Sequence, residues 1–357
     1  MQRLKLLVLT RYNHLGPSSR VRIMQYVPFL NQHGVELTMA PMFSNRYITH
    51  LYLNKGRSFR DVFLAYYRRL FEAVRCKVHD LVLIEKEVFP WIPAWLECLL
   101  VLRRCRYVLD YDDAVFHSYD LHRSCLIRQV LGRKIATIMC KSALVIVGNS
   151  YLAEYATQAG ARRVETLPTV VDLDKFILKA DTKSKGFTIG WIGTPNTAKF
   201  ITMIKPVLIT LCSNRDTRLV LVGSGSIELD GVTAEIRTWS EKTEVSDIMS
   251  FDVGVMPLYD RPLERGKCGY KLIQYMACSK PVVASPVGVN SEIVLHGVNG
   301  FLAASQDEWL DALRRLRMDK DERESLGKAG RRLVEDRYCL QVTAPRLLEL
   351  LREAAFA

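Results

Sequence analysis

Short apolar runs rich in β-branched residues alternate along the chain with longer stretches of helical period. In the first half these runs are Leu4 to Thr10, Val35 to Ala40, Leu81 to Glu85, Tyr107 to Asp110 and Leu144 to Val147. A strand covered on both faces reads as a continuous apolar run, so the pattern predicts βαβ units and a parallel sheet. The alternation restarts at Thr188 to Ile192 and recurs at Arg218 to Val222, Val253 to Met256, Pro281 to Ala284 and Gly300 to Leu302. A restart predicts two doubly wound α/β domains in place of one long sheet. Between them Val170 to Gly186 loses the apolar period and gains Asp and Lys, which reads as a linker with the boundary near residue 180. The expected division is therefore 1–180, 181–338 and a terminal amphipathic segment 339–357. That last segment carries Leu347, Leu348, Leu350 and Leu351 with no strand after it, and it is expected to cross back to the first domain.

Composition narrows the class. The 357 residues are 49% hydrophobic and 25% charged, and no segment approaches the roughly 18 uninterrupted apolar residues of a spanning helix. The run Leu6-Leu7-Val8-Leu9 is too short for the apolar region of a signal peptide. Nine cysteines, an odd number with no CxxC pair, speak against a disulfide framework and a zinc site. A reducing cytoplasm is the expected location.

The net charge of +12 is unevenly placed: residues 1–180 hold 26 Lys and Arg against 15 Asp and Glu, whereas residues 181–357 hold 24 against 23. In the first half the cations mix with aromatic and aliphatic residues, from Arg57-Ser58-Phe59-Arg60 through Tyr66-Tyr67-Arg68-Arg69-Leu70-Phe71 and again in Leu99-Leu100-Val101-Leu102-Arg103-Arg104. An anionic membrane surface is one reading of that composition, and a solvated helix with snorkelling Arg is the other. No zinc knuckle or aromatic RNP-like run supports nucleic acid as a partner.

Doubly wound sheets bind ligands at the carboxyl ends of their strands, and for two facing domains the expected place is the cleft between them. After the first strand come Gly16, Ser18, Ser19 and Arg20, a turn, two helix-capping hydroxyls and a cation suited to an anion or to a generic helix start. The restart strand ends in Gly193-Thr194-Pro195-Asn196-Thr197 with Lys199 following, and the next runs into Gly223-Ser224-Gly225. Phosphate oxygens suit hydroxyls, backbone amides and a cation in such turns. Neither a dinucleotide fingerprint nor a Walker loop is present. The densest set is Glu264-Arg265-Gly266-Lys267-Cys268-Gly269-Tyr270-Lys271, with Gln274 one turn on, between two strand-like runs. It predicts a diphosphate cradle at a helix start, with Lys267 and Lys271 adding charge.

This segment resembles glycosyltransferases of the GT-B fold, family 4 of the retaining nucleotide-sugar enzymes, a subgroup of which writes it G-K-C-G-[FY]-K-L-x-[QE]-Y-M-A. The match runs through Gly266 to Ala277 and continues in Pro286-Val287-Gly288, Glu292-Ile293-Val294 and Gly297-Val298-Asn299-Gly300-Phe301-Leu302, about half the chain in all. The resemblance implies two Rossmann-like domains facing across a cleft, a nucleoside diphosphate-sugar donor, a hydroxyl acceptor and no essential metal or cofactor. It implies Lys199 as the lysine that neutralises the donor diphosphate, with Thr194 replacing the family Arg. It places Gly266 where the family has a Glu at the donor sugar, and Gln274 where a second Glu meets the ribose; Glu264 is the candidate stand-in for the missing carboxylate. The donor set is thus Gly16, Arg20, Gly193, Thr194, Asn196, Gly223, Glu264, Lys267, Cys268, Gly269, Tyr270 and Gln274, with Lys199 and Lys271 as catalytic cations.

In the first half Tyr107 to Phe116 ends a strand in Asp110, Asp112 and Asp113. As a family match Asp112 or Asp113 orients or deprotonates the acceptor hydroxyl; as a structural feature both cap the next helix; paired Asp holding Mg is the third reading. Glu85, Glu87 and His117 are placed on the acceptor side. The expected activity is retaining sugar transfer in bacterial surface polysaccharide or glycolipid assembly, the acceptor a lipid-linked saccharide at the inner membrane face. A nucleotide-sugar epimerase and a degenerate, non-catalytic scaffold of the same fold are the rival readings.

Overall fold

The computed structural model describes residues 3–52, 59–178 and 186–356. Arg57 and Ser58 of the cationic run, and the expected boundary near residue 180, lie outside the described residues. The chain forms two compact units.

The first unit is built on a parallel sheet of β1 (Leu4–Leu9), β2 (Val35–Met39), β3 (Leu81–Glu85), β4 (Tyr107–Tyr111), β5 (Leu144–Val147) and β6 (Val164–Thr166). Their order is β2-β1-β3-β4-β5-β6, so the chain winds outward from β1 and then reverses through β3. Alternate strand residues, among them Leu7, Leu9, Val82, Ile84, Leu109 and Val145, pack with Ile135, Ile138 and Leu152 of the covering helices. The second unit repeats the plan with β7 (Phe187–Ile192), β8 (Thr217–Val222), β9 (Ala234–Arg237), β10 (Val253–Met256), β11 (Val282–Ala284) and β12 (Gly300–Leu302) in the order β12-β11-β10-β7-β8-β9. Central β7 is buried along its whole length. Edge strands β6 and β9 escape the apolar-run reading because they are short and partly exposed.

The division differs in detail from the expected one. The second unit begins at Val170, and Val171 pairs with Cys339 while Val171 and Phe176 enter its core, so the stretch read as linker is packed through Phe176, with Ile177 and Leu178 exposed after it. Gly266–Cys268 and the chain from Thr343 onward pack with the first unit. Thr343 Oγ1 lies 2.9 Å from Tyr26 Oη, and Arg346 reaches Glu165 at 3.0 Å. The cysteine reading also needs correction: Cys76 and Cys105 form a disulfide, joining the end of one helical segment to the approach of β4. Composition showed no pair because the two lie 29 residues apart. No helix among the described residues is long and apolar enough to cross a membrane.

Two strand glycines admit bulky neighbours. A Cβ on Gly190 would collide with the Phe251 ring and one on Gly254 with the Tyr275 ring, whose hydroxyl accepts the Ile192 N–H at 3.0 Å. Overpacking of this kind costs about 1–3 kcal/mol. Gly254→Ala is therefore expected to lower the thermal unfolding midpoint; an unchanged midpoint would mean that the ring shifts without penalty.

Candidate functional site

Strand order in the second unit reverses between β10 and β7, and such a reversal leaves a crevice beyond the strands' carboxyl ends. The chain leaves β7 through Gly193, whose N–H donates to Val222 O at 3.0 Å. A Cβ at Gly193 would meet Trp191 and the Thr197 hydroxyl, and Gly223 sits at φ +74° against the Gly193 carbonyl. The two exit turns thus touch backbone to backbone, which only glycine allows. Thr194 caps the short helix Pro195–Ala198, its N–H donating to Thr197 Oγ1 at 3.2 Å. Asn196, within that helix, and Lys199, just after it, are exposed.

From the β10 side, Glu264 lies buried in the turn Pro262–Arg265, and Gly269 at φ +64° caps the helix Tyr270–Ala277. Tyr270 and Lys271 are half-buried in its first turn. The Lys271 ammonium stands 5.4 Å from the Trp191 ring at the end of β7. Gln274 is 3% exposed and donates to Glu244 Oε1 at 2.5 Å. Glu244 also accepts from Trp239 Nε1 at 3.2 Å, and Trp239 packs beside Gly223. Gln274 was expected to face a ligand; it is instead sealed in this chain of polar contacts. Neither Glu244 nor Trp239 carried a motif signal.

Lys267 and Cys268, expected in the same cradle, belong to the first unit. Asn149 Nδ2 donates to the carbonyls of Gly266 and Lys267, both at 3.0 Å, while its Oδ1 caps the helix Ser150–Gln158. A Cβ at Gly266 would collide with Ala114, so no acidic side chain fits there. Cys268 is buried against Gly148, donates to Asp112 O at 3.2 Å, and its thiol is pushed by burial up to about 12. These contacts pack the segment within the first unit.

Reversal in the first unit falls between β1 and β3. Ser18 and Ser19 were read as caps, yet Gly16 is the N-cap of the helix Pro17–Arg22, and the Ser19 hydroxyl donates to Glu85 at 2.6 Å. Arg20, half-buried, reaches the His14 carbonyl at 3.5 Å. Arg22 is buried in a bidentate pair with Asp110 at 2.6 and 3.0 Å. Glu85 and Glu87 are sealed rather than lining a pocket. Glu85 accepts from Ser19 and from Arg11 N; Glu87 accepts from Tyr119 at 2.9 Å and Lys134 at 2.8 Å. His117 is half-buried between Asp120 at 2.9 Å and the Tyr151 hydroxyl at 2.7 Å.

Asp112 and Asp113 are half-buried at the end of β4. Neither caps the following helix His117–Asp120, whose N-cap is Phe116; Asp113 accepts the N–H of Ala114 at 3.0 Å. Asp112 pairs with Lys86 at 2.9 Å. Lys86, absent from the sequence-based set, holds φ +65° in the turn after β3, and its ammonium also approaches Ser18 at 3.4 Å. Its position as the one cation in Glu85-Lys86-Glu87 at a strand end was the available signal.

Residues 186–319 match the family model described as glycosyl transferases group 1. A comparison with curated proteins returns no match. Among solved structures, the chain is similar to a sucrose-phosphate synthase from Thermosynechococcus elongatus at 17% identity and TM-score 0.74, covering 98% of this chain and 99% of that one. It is similar to HepE from Anabaena, in complex with UDP and glucose, at 15% identity and TM-score 0.69, covering 98% and 100%. A glycosyltransferase from Rickettsia africae aligns at 13% identity and TM-score 0.68, with full coverage of both chains. These likenesses establish the GT-B fold of two Rossmann-like domains. The chain carries a group 1 glycosyltransferase domain and is on that ground a glycosyltransferase.

Burial alone would raise the Asp112 carboxyl, but Lys86, the Ser18 hydroxyl and Arg22 outweigh it and hold Asp112 below the usual carboxylate range. A carboxyl lowered on folding stabilises the protein above its unfolded pKa of about 4, and the contribution is lost as pH falls through the lower folded value. The stability gap between wild type and Asp112→Asn is expected to be constant near neutrality and to close on acidification below about pH 4. A gap independent of pH, followed by denaturant titration, would show that Asp112 is not held ionised.

Proposed function

We propose that this protein is a retaining glycosyltransferase of family 4 that transfers a sugar from a nucleoside diphosphate-sugar to a hydroxyl acceptor. The observation that carries the reading is the meeting of the Gly193 and Gly223 turns beyond the ends of β7 and β8, with Lys271 half-buried over Trp191 beside them. Close backbone approach suits phosphate oxygens, and a departing diphosphate needs fixed positive charge as the glycosidic bond breaks. Lys271 supplies that charge from the helix start, and Lys199 supplies it from the exposed rim. Positioned cations of this kind stabilise the leaving group without reorganising during the reaction. HepE, solved with UDP and glucose, makes UDP-sugars the first donors to test. Retention rests on the resemblance of Gly266 to Ala277 to family 4.

On the first unit, Asp112 and Asp113 are the acceptor-side acids, Asp112 kept as a carboxylate by Lys86. The acceptor in this reading is a lipid-linked saccharide presented at the inner face of the cytoplasmic membrane, in bacterial surface polysaccharide or glycolipid assembly. The basic first half and its aromatic runs support that location. A second reading, a non-catalytic binder of the same ligand, is favoured by two details: Gln274 is engaged by Glu244, and position 266 has no room for an acid. Labelled sugar moving from a UDP-sugar onto a lipid extract, with the anomer read by NMR, separates the two.

Lys271→Ala and Lys199→Ala should each weaken UDP binding by about 1.5–3 kcal/mol, the range for a hydrogen bond to a charged group. Calorimetry gives the answer residue by residue, since unchanged affinity removes that lysine from the site.

A further inference from the structure

The helix Phe59–Val74 turns only a thin face inward: Ala65, Arg69 and Ala73 are its buried residues, with Arg69 donating to the Thr10 carbonyl. At 3.6 residues per turn, Phe59, Phe63, Tyr67, Leu70 and Val74 form one stripe alongside that buried face, and Phe71 widens it outward. This stripe is exposed, with Phe59 at 83% and Tyr67 at 64%. Val62 and Tyr66 also pack inward, yet most of the helix's large apolar side chains face outward, which is uncommon for a water-facing surface. Arg60, Arg68 and Arg75 border or interrupt the stripe, and the Arg75 guanidinium lies 4.1 Å over the Phe71 ring. Asp61 and Glu72 fall toward its inner edge.

Two further segments adjoin the same helix. Tyr66 Oη bonds the Pro90 carbonyl, beside exposed Trp91 and Trp95. Arg103 Nη1 donates to the Val74 carbonyl at 3.3 Å, beside exposed Arg104 and Leu102, the latter at 78%. The Cys76–Cys105 disulfide joins the ends of these two elements. Aromatics with a polar rim, apolar stems and arginines are thus gathered from three separate stretches of the first unit.

We propose that this surface docks the protein on an anionic bilayer, the aromatic stripe entering the headgroup boundary and the arginines meeting lipid phosphates. Charge complementarity selects that occupant. A second copy would set the same arginines against each other, whereas an anionic leaflet attracts each nearby Arg and accepts Trp, Tyr and Phe at its interface. The proposal deepens the membrane-face part of the reading above and rests on that part alone, since docking requires no sugar transfer.

Flotation of the full chain with phosphatidylcholine vesicles, with and without phosphatidylglycerol, tests it. Wild type should float with the anionic vesicles at low salt and be released as salt rises. Arg60→Gln/Arg68→Gln/Arg75→Gln should weaken partitioning by about two orders of magnitude, at the usual contribution of each cation near such a surface. Phe63→Ser/Tyr67→Ser should weaken it without altering the salt dependence. These residues are exposed, so thermal midpoints should stay unchanged, and UDP affinity, set by the second unit, should be retained. Loss of UDP binding by wild type would sink the transferase reading and leave docking standing. Absence of flotation at low salt, flotation indifferent to the variants, or self-association abolished by Phe63→Ser without any vesicle binding would each overturn the docking surface.

Discussion

Both sheets are parallel throughout and covered on their faces, which confines polar chemistry to the strand ends. Within β7 every residue is buried and its backbone groups are taken by β8 and β10. Beyond Ile192 the ladder ends, and the chain turns through Gly193 against Gly223. The same rule places Lys86, Asp112 and Ser18 at the ends of β3, β4 and the turn after β1. The chemistry of this protein follows from where its strands stop.

The first unit buries several charged groups, and ion pairs hold most of them. Arg22 with Asp110, and Lys134 with Glu87 and Glu97, are ion pairs whose members lie far apart in sequence. An unpaired charge at these depths would be strongly destabilising, so each acid needs its partner to remain inside. Cations hold Glu87 and Asp110 inside, the Ser19 hydroxyl and the Arg11 N–H hold Glu85, and Asp112 and Asp113 stay half-buried at the end of β4. The helix Phe59–Val74 shows the converse: Arg69 is drawn inward to a backbone carbonyl while its aromatic neighbours stay outside.

Much of the architecture was legible because a buried parallel strand must be apolar throughout, and ten such runs stand out in the chain. The turn glycines Gly193 and Gly223 were legible for a related reason: tight strand exits need glycine. Strands β6 and β9 were not, since a short edge strand with mixed burial loses the apolar run. The packing of the Gly266-Lys267-Cys268 segment was not legible, because its composition suits a phosphate loop equally well as a packed turn. Its contacts with Asn149, Ala114 and Asp112 connect residues more than a hundred positions apart.

What the sequence determined by itself is the period: where apolar runs start and end, how often they restart, and which residue types occupy the exits. These are local properties, set by the chain's own geometry. Tertiary structure alone decided which charged groups are partnered, because an ion pair such as Lys86 with Asp112, or a hydrogen bond such as Gln274 to Glu244, forms only after the strands have aligned. Burial of a charge depends on the partner the fold brings to it, and no local pattern encodes that partner.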